Sequence, residues 1–347
     1  MDKEELPLVS IVIPTYNGDE FLEATLESAI SQTYKNVEIL ICDDGSTDKT
    51  IEISKRYELN YPQVRLIQNP VNLGMVANWN SSILKVKSDW IKFLFQDDIL
   101  QPECVELMLT ACIKHDLNVA VCRRDFIIHD DVAPHLQKGF KTTIVKPEHL
   151  FLDKEVITPD ELAKTAKRYL IHNVIGEPTC YLFNKAVLKE TGMFNLLQKQ
   201  LVDYEFIVRI GLLNGFVFLS DTLAFFRVHG KSVSSDNNKR DKPNRLKSIA
   251  AESGDALLML EYYLKDPAFE LIKKEVGEDI LKTYQQHLFY SGSKHKGRKI
   301  FKKALEPLFK QQNWPILKYT FFKYVYYRHL IRKWEKEMKK NNMISVP

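Results

Sequence analysis

The sequence predicts an α/β protein built on a mostly parallel sheet flanked by helices, with a C-terminal helical extension. Three observations predict it. Over the first hundred residues, short apolar runs alternate with stretches of helical period, as strands joined by crossover helices do. Two of those runs end in adjacent carboxylates: VEILICDDGSTD, with Asp43, Asp44 and Asp48, and WIKFLFQDD, with Asp97 and Asp98. The carboxyl end of a parallel strand is where an open α/β sheet places its ligand site, so both pairs belong at such an edge. Beyond about residue 235 the chain turns polar, then basic, aromatic and helical in pattern.

The elements follow in order. Leu8 to Pro14 is the first strand. Leu22, Thr25, Leu26, Ala29 and Ile30 fall on one helical face, and Asp19 and Glu20 suit the start of that helix. Val37 to Cys42 is the second strand. Thr47 is placed to cap a helix running through Tyr57, because its hydroxyl can accept from a free first-turn amide. Val64 to Ile67 is the third strand, Met75 to Leu84 a helix, and Trp90 to Phe95 the fourth strand. Pro102 opens a helix to about His115, and Val119 to Cys122 is a strand. Residues from about His129 to Pro159 show no clear period and read as a surface excursion. Thr179 to Phe183 is a strand, Lys185 to Thr191 a short helix and Val202 to Leu213 an amphipathic helix. VFL and Leu223 to Val228 close the core as two strands. Ser232 to Asn244 is the linker, and Arg245 to Lys340 the helical tail. The expected domains are therefore 1–235 and 236–347.

Bulk composition narrows the function little. The formal net charge of +4 on 347 residues is too weak a bias to argue for nucleic acid. The five cysteines show no CxxC pair and no metal-ligand spacing, and read as small buried residues of a reduced protein. The N-terminal MDKEELPLVS has no basic flank before an apolar stretch, and no run approaches the roughly 20 apolar residues of a spanning helix. The expected location is cytoplasmic.

The acidic pairs carry the chemistry. A hard divalent cation is held by one or two carboxylates plus substrate phosphates. Adjacent aspartates in a tight turn do not both face one ion, so one of Asp97 and Asp98 would ligate while the other accepts from a hydroxyl. The alternative is a solvated turn or a helix cap before Pro102. A carboxylate at Asp43 or Asp44 can accept from a uracil-like imide or a ribose hydroxyl, while Asp48 suits a cap. PTYNG, Pro14 to Gly18, would share that edge, with Tyr16 facing a base and Thr15 contacting it by backbone. Taken alone, Asp203 reads first as an exposed helix residue, His229 as a hydrogen-bonded surface or core histidine and Trp79 as core or pocket wall, while Glu177 reads equally as part of a structural Gly-Glu-Pro turn.

The chain resembles the family 2 glycosyltransferases of GT-A fold. The stretches that carry the resemblance are VSIVIPTYNGDEFLEATLESAISQTYKNVEILICDDGSTDKT, NLGMVANWN, QDD, IGEPTCYLF, VDYEFIVRI and FRVHGKSVS, in the family's order and over roughly residues 8 to 235. The resemblance implies a donor half over about 1–100 and an acceptor half over about 101–235. It implies that Asp44 binds the base, Asp97 lies near the ribose, and Asp98 coordinates the metal and reaches the donor diphosphate. His229 matches a histidine beside the diphosphate and metal. Asn72, Gly74 and Asn80 match the donor-site loop. Asp203 matches the general base, although Val202 stands where members commonly have Glu. Trp79 stands where many have Arg, so a diphosphate contact usual elsewhere is either missing or supplied by Arg227 or Lys231.

These roles imply an inverting, single-displacement transfer from a nucleotide-diphospho-sugar, expected to be a UDP-sugar, assisted by Mg²⁺ or Mn²⁺. Burial, or a neighbouring carboxylate such as Glu205, would raise the pKa of Asp203, and Glu177 would line the acceptor pocket. The expected acceptor is a glycan or lipid-linked hydroxyl, in bacterial surface-glycan assembly. No QxxRW motif follows the core, which points to one sugar per encounter. Gly230-Lys231-Ser232 lacks the earlier glycine of a phosphate-binding loop. The basic, aromatic tail suits either packing on the core or peripheral contact at the inner face of a membrane. Two other readings are a sugar nucleotidyltransferase of related fold, though its Gly-rich, Arg-containing loop is absent, and a non-catalytic nucleotide-sugar-binding protein.

Overall fold

A computed structural model of the chain describes residues 6–134, 137–138, 140, 150–151, 154–169 and 173–230, and beyond these 255, 258–259, 262–263 and 266–277. The chain divides into two compact units. One comprises 1–196 and 202–235, and the other 197–201 and 236–347.

The first unit is built on a nine-stranded sheet in the order β3-β2-β1-β4-β8-β6-β9-β5, with β7 pairing β9. Its strands are β1 (Val9–Thr15), β2 (Val37–Asp43), β3 (Val64–Gln68), β4 (Trp90–Phe93), β5 (Ile99–Leu100), β6 (Val119–Ile128), β7 (Val156–Ile157), β8 (Tyr181–Asn184) and β9 (Phe216–Val228). β1 pairs in parallel with β2 and β4, β2 with β3, and β6 with β9. β8 lies antiparallel between β4 and β6, so β1, β2, β3, β4, β6 and β9 all run the same way. Their carboxyl ends define one edge. The chain leaves β1 toward β2 on one side and returns to β4 on the other, making the β1–β4 boundary a topological switch point, where such sheets bind ligands.

The sequence explains the central strands. VSIVIPT is buried at every position, as a strand covered on both faces must be. Helices α1 (Leu22–Ile30), α2 (Thr50–Asn60), α3 (Met75–Lys85) and α4 (Cys104–His115) connect the strands, close to the expected bounds. Thr47 does not cap α2. Its N–H donates to Asn17 Oδ1 at 2.8 Å, while Asp48 Oδ1 accepts from Thr50 N at 2.9 Å. Asp19 likewise braces this loop, accepting from Lys49 N at 3.4 Å, and α1 begins three residues later.

The second half departs further from expectation. β6 runs on to Ile128, and the two closing strands are one continuous strand of 13 residues. The break read from the sequence is Ser220 and Asp221, which are exposed at an irregularity where the β6–β9 register shifts between Cys122 and Arg124. Helix α5 (Pro159–Arg168) was not expected. Thr158 and Glu161 form a full capping box at its start, with Pro159 in the first turn. Helix α6 (Leu188–Thr191) is short. Helix α7 (Val202–Asn214) is not amphipathic: burial is unbroken from Tyr204 to Leu212. It lies inside the unit, where Phe194 stacks on Phe206 with ring centroids 4.0 Å apart.

In the second unit, Asp255 is buried and its carboxylate accepts from the backbone N–H groups of Lys199, Gln200 and Leu201. Helix α8 spans Glu270–Val276. The linker and most of the tail lie outside the described residues, as does Lys231. Among the described residues no helix is long and apolar enough to cross a membrane.

Candidate active site

The carboxyl ends of β1 and β2 form the first wall. Asp43 is wholly buried and committed to its own turn, accepting from Gly45 N and Ser46 N, both at 3.0 Å. Asp44 reaches the other way. Its Oδ1 accepts from Asn69 Nδ2 and Leu73 N, both at 2.9 Å, and its Oδ2 accepts from Gly74 N at 2.8 Å. Asn72 Nδ2 donates to the Asp44 carbonyl at 2.8 Å. Asp44, Asn72 and Gly74 therefore meet, and the Asp44 carboxylate holds the 69–74 loop over the strand ends. Gly74 has φ +86°, a left-handed conformation that favours glycine, and α3 starts from it.

The β1–β4 boundary is bridged by Gln96. Its Oε1 accepts from Tyr16 N at 2.8 Å and its Nε2 donates to Tyr16 O at 3.2 Å. A Cβ on Gly18 would stand 2.3 Å from that Oε1, so only glycine lets the brace close. Tyr16 projects its ring outward at 50 % exposure, while Pro14 and Thr15 are buried in β1. Thr15 contributes its carbonyl to Asp44 N at 2.9 Å.

Asp97 and Asp98 part company. Asp98 is completely buried; its Oδ2 accepts from Thr179 Oγ1 at 2.5 Å and its Oδ1 from Arg227 N at 3.0 Å. Burial, then the neighbouring Asp97 charge, push the Asp98 carboxyl well above the usual carboxylate range. Asp97 keeps 22 % of its side chain exposed and places Oδ2 3.1 Å from His229 Nε2. Asp98, the residue expected to face the metal, thus lies in the interior, and the carboxylate beside the histidine is Asp97. His229 packs on Phe21 at 4.5 Å, and Arg227 lies over the same ring, with Nε donating to Asp97 O at 2.7 Å and Nη1 3.0 Å from His129 Nε2. His129 and His229 come together because they follow the parallel strands β6 and β9. Among the described residues no group of three or more His, Cys, Asp or Glu side chains could hold a metal ion.

The third wall carries Asp203, half-buried at the start of α7. Its Oδ2 accepts from Asn173 Nδ2 and its Oδ1 from Tyr204 N, both at 2.7 Å. Burial, then the charge of Glu177, raise its pKa to about 7. The carboxylate acting on it is thus Glu177 and not Glu205, which is buried and ion-paired to Arg209 Nε at 2.6 Å. Arg209 in turn donates to the Thr191 and Met193 carbonyls, so the Glu205 carboxylate is turned into the interior with it. Glu177 is ion-paired with buried Arg124. Thr179 connects this wall to the last: its hydroxyl meets Asp98, and its carbonyl accepts from the wholly buried Lys92.

Asn80 stands apart from these walls. Its amide is consumed by the Phe194 backbone, donating to the carbonyl at 2.8 Å and accepting from the N–H at 3.0 Å. Trp79 is buried and stacks on Phe95 at 4.9 Å, a wall behind the acidic pair. The residues missed from sequence are Gln96, Asn69, His129, Arg124, Asn173 and Thr179. Gln96 stood inside the QDD stretch and Thr179 inside IGEPTCYLF; the others act across elements and carry no local signal.

A sequence profile described as Glycosyl transferase family 2 matches residues 10–192. The chain is similar to a chondroitin synthase of Pasteurella multocida, 28% identical over 239 residues, covering 69% of this chain and 22% of that protein. It is also similar to the uncharacterized glycosyltransferase YibD of Escherichia coli, 36% identical over 122 residues, with 35% of each chain covered. The matched stretch thus spans about a third or less of either relative. Among solved structures, the fold resembles S. aureus TarS 1-349 in complex with UDP, with TM-score 0.54 and 16% identity, covering 89% of this chain and 92% of that one. It also resembles the mannosyltransferase PcManGT of Pyrobaculum calidifontis in complex with GDP-Man and Mn²⁺, with TM-score 0.55 and 14% identity, covering 95% and 84%.

Proposed function

The chain belongs to glycosyl transferase family 2, and from that premise we propose that it moves one sugar from a nucleotide-diphospho-sugar to a hydroxyl of a glycan or lipid-linked acceptor, with inversion at the anomeric carbon. The observation that carries this reading is Asp203, a carboxylate raised to about 7 and linked through the 176–179 turn to Asp98. A base whose pKa lies near the working pH combines a usable ionised fraction with the strength to take a proton. In the reaction the acceptor O–H bond breaks and its proton passes to Asp203. The acceptor oxygen bonds to the anomeric carbon from the face opposite the leaving group, and the nucleoside diphosphate departs with the electron pair of the broken C–O bond.

The donor residues take assigned places. Asp44 fixes the 69–74 loop and offers its remaining lone pair on Oδ2 to a base N–H. Exposed Tyr16 stands beside it as the ring for that base. Arg227, anchored on Asp97 O and Phe21, is the cation for the diphosphate, the role left open by Trp79. A divalent cation fits Asp97 and His229, one carboxylate and one imidazole, a donor pair that favours Mn²⁺ over Mg²⁺. Such an ion, when bound, would offset charge on the departing diphosphate. A UDP-sugar is the proposed donor, the cytoplasm the proposed location, and 1–235 the proposed catalytic domain. Family membership sets aside the nucleotidyltransferase reading.

The test is thermal unfolding with UDP-GlcNAc or GDP-Man, each with Mn²⁺, followed by product analysis. UDP-GlcNAc is expected to raise Tm, since a ligand of the folded state stabilises it by mass action. Asp203→Asn should keep that shift and lose transfer. Near-normal transfer by Asp203→Asn would remove Asp203 from the base role.

A further inference from the structure

We propose that the turn Gly176–Glu177–Pro178 supplies the second acidic group of the base site, so that Glu177 is the positioning residue of Asp203. The inference rests on Asp203 being the base. The geometry is specific. Asn173 Oδ1 accepts from Ile175 N at 3.1 Å and Gly176 N at 3.0 Å, which fixes Nδ2 as the donating end of its amide. That Nδ2 donates both to Gly176 O at 2.9 Å and to Asp203 Oδ2 at 2.7 Å. One side chain therefore ties the turn to the base. The Tyr181 hydroxyl donates to the same Gly176 carbonyl, and Gly176 holds φ +130° with Cys180 Sγ 2.9 Å from where a Cβ would stand. The turn is thus pinned from three sides.

Its acidic side chain is pinned as well. Arg124 pairs with Glu177 through Nε, and its Nη2 donates to Glu177 Oε1 at 3.2 Å, while the guanidinium lies over the Phe126 ring at 5.0 Å. A planar, permanently charged fork of this kind fixes a carboxylate in direction as well as in charge. Among the described residues, Asp203 is hydrogen-bonded by the Asn173 amide and by Tyr204 N on its own helix, and the ionisable groups whose charge it feels or affects are Glu177, paired with Arg124, and the Tyr181 phenol of β8. Glu205 on that helix is turned with Arg209 toward the Thr191 and Met193 carbonyls.

The consequence is a division of labour. A like charge beside a carboxylate disfavours its ionised form, while a donated hydrogen bond favours it. Glu177 therefore strengthens Asp203 as a proton acceptor, and Asn173 limits that effect while aiming Oδ2. Burial raises Asp203 further, and the balance stands at about 7.

The experiment reads the carboxyl directly and needs no substrate. Full-length protein carrying carboxyl-¹³C aspartate is titrated by NMR, and the Asp203 resonance is the one that disappears in Asp203→Asn. The parent midpoint is expected near pH 7. Glu177→Gln should move it toward the ordinary carboxylate range, Glu177→Asp should restore it, and Asn173→Ala should move it upward. A midpoint unchanged in Glu177→Gln overturns the proposal, and so does one that moves in the same direction in Glu177→Gln and Asn173→Ala, since a general loosening would do that. Transfer assays keep the two readings apart: activity retained by Asp203→Asn sinks the base itself, whereas lost activity with an unmoved Glu177→Gln midpoint sinks only the role of Glu177.

Discussion

Asp97 and Asp98 are chemically identical and one residue apart, yet one has its carboxylate wholly in the interior and the other meets His229 at the surface of the site. On the proposed metal site, that difference separates their expected roles. Asp97→Asn is expected to abolish the Mn²⁺-dependent part of the UDP-GlcNAc-induced rise in Tm, with the metal-independent part retained. Asp98→Asn should retain the metal dependence but lower the Tm of the free protein, because it disturbs bonds to Thr179 and the Arg227 backbone. Thermal unfolding with and without Mn²⁺ distinguishes the two. For Asp203 the sign of the pH effect is set by a folded pKa above the unfolded value. Its contribution to stability is full below about pH 4 and is lost as pH rises through about 7. Asp203→Asn should therefore stabilise the protein more at pH 8 than at pH 5, measured as the difference in Tm from the parent. Transfer should show an acid limb near pH 7.

Elements place these residues, and their legibility followed the range of the forces that form them. β1 to β4 and α1 to α4 could be read because period and burial coincide locally. The start of α5 is also local: the Thr158-Pro159-Asp160-Glu161 box stands in the sequence at the end of the stretch without clear period. Thr158→Ala should cost about 1 kcal/mol of stability by urea unfolding. α7 was misjudged for a different reason. Its polar residues Glu205 and Arg209 make no solvent face: they pair with each other, and Arg209 also satisfies the Thr191 and Met193 carbonyls inside the protein. β9 was split in two because Ser220 and Asp221 interrupt its apolar run where β6 shifts register. Asn80 belongs at this scale too, since its amide joins α3 to the Phe194 backbone. Asn80→Ala leaves a buried N–H and C=O unpaired and should cost about 2 kcal/mol by the same measurement.

At the scale of the molecule, the sheet gathers distant segments at one edge, because its longer strands run the same way and the chain reverses at β1–β4. The basic, aromatic tail suits either packing on the core or peripheral contact with a membrane, and vesicle flotation distinguishes the two. On the membrane reading, the full chain is expected to float with vesicles containing anionic lipid and to be released as salt rises, because screening weakens exposed charge attraction. Flotation equal on neutral and anionic vesicles would count against that role. By itself the sequence determined the α/β class, the carboxylate-bearing strand ends, the family resemblance and the candidate base Asp203. These depend on local period, residue type and order along the chain. Only the tertiary structure decided that Asp97 and not Asp98 meets His229, that Glu205 turns inward to Arg209, and that Asn173 and Glu177 frame Asp203. Those outcomes turn on burial and on partners from other elements, and neither is a property of a residue or its neighbours in sequence.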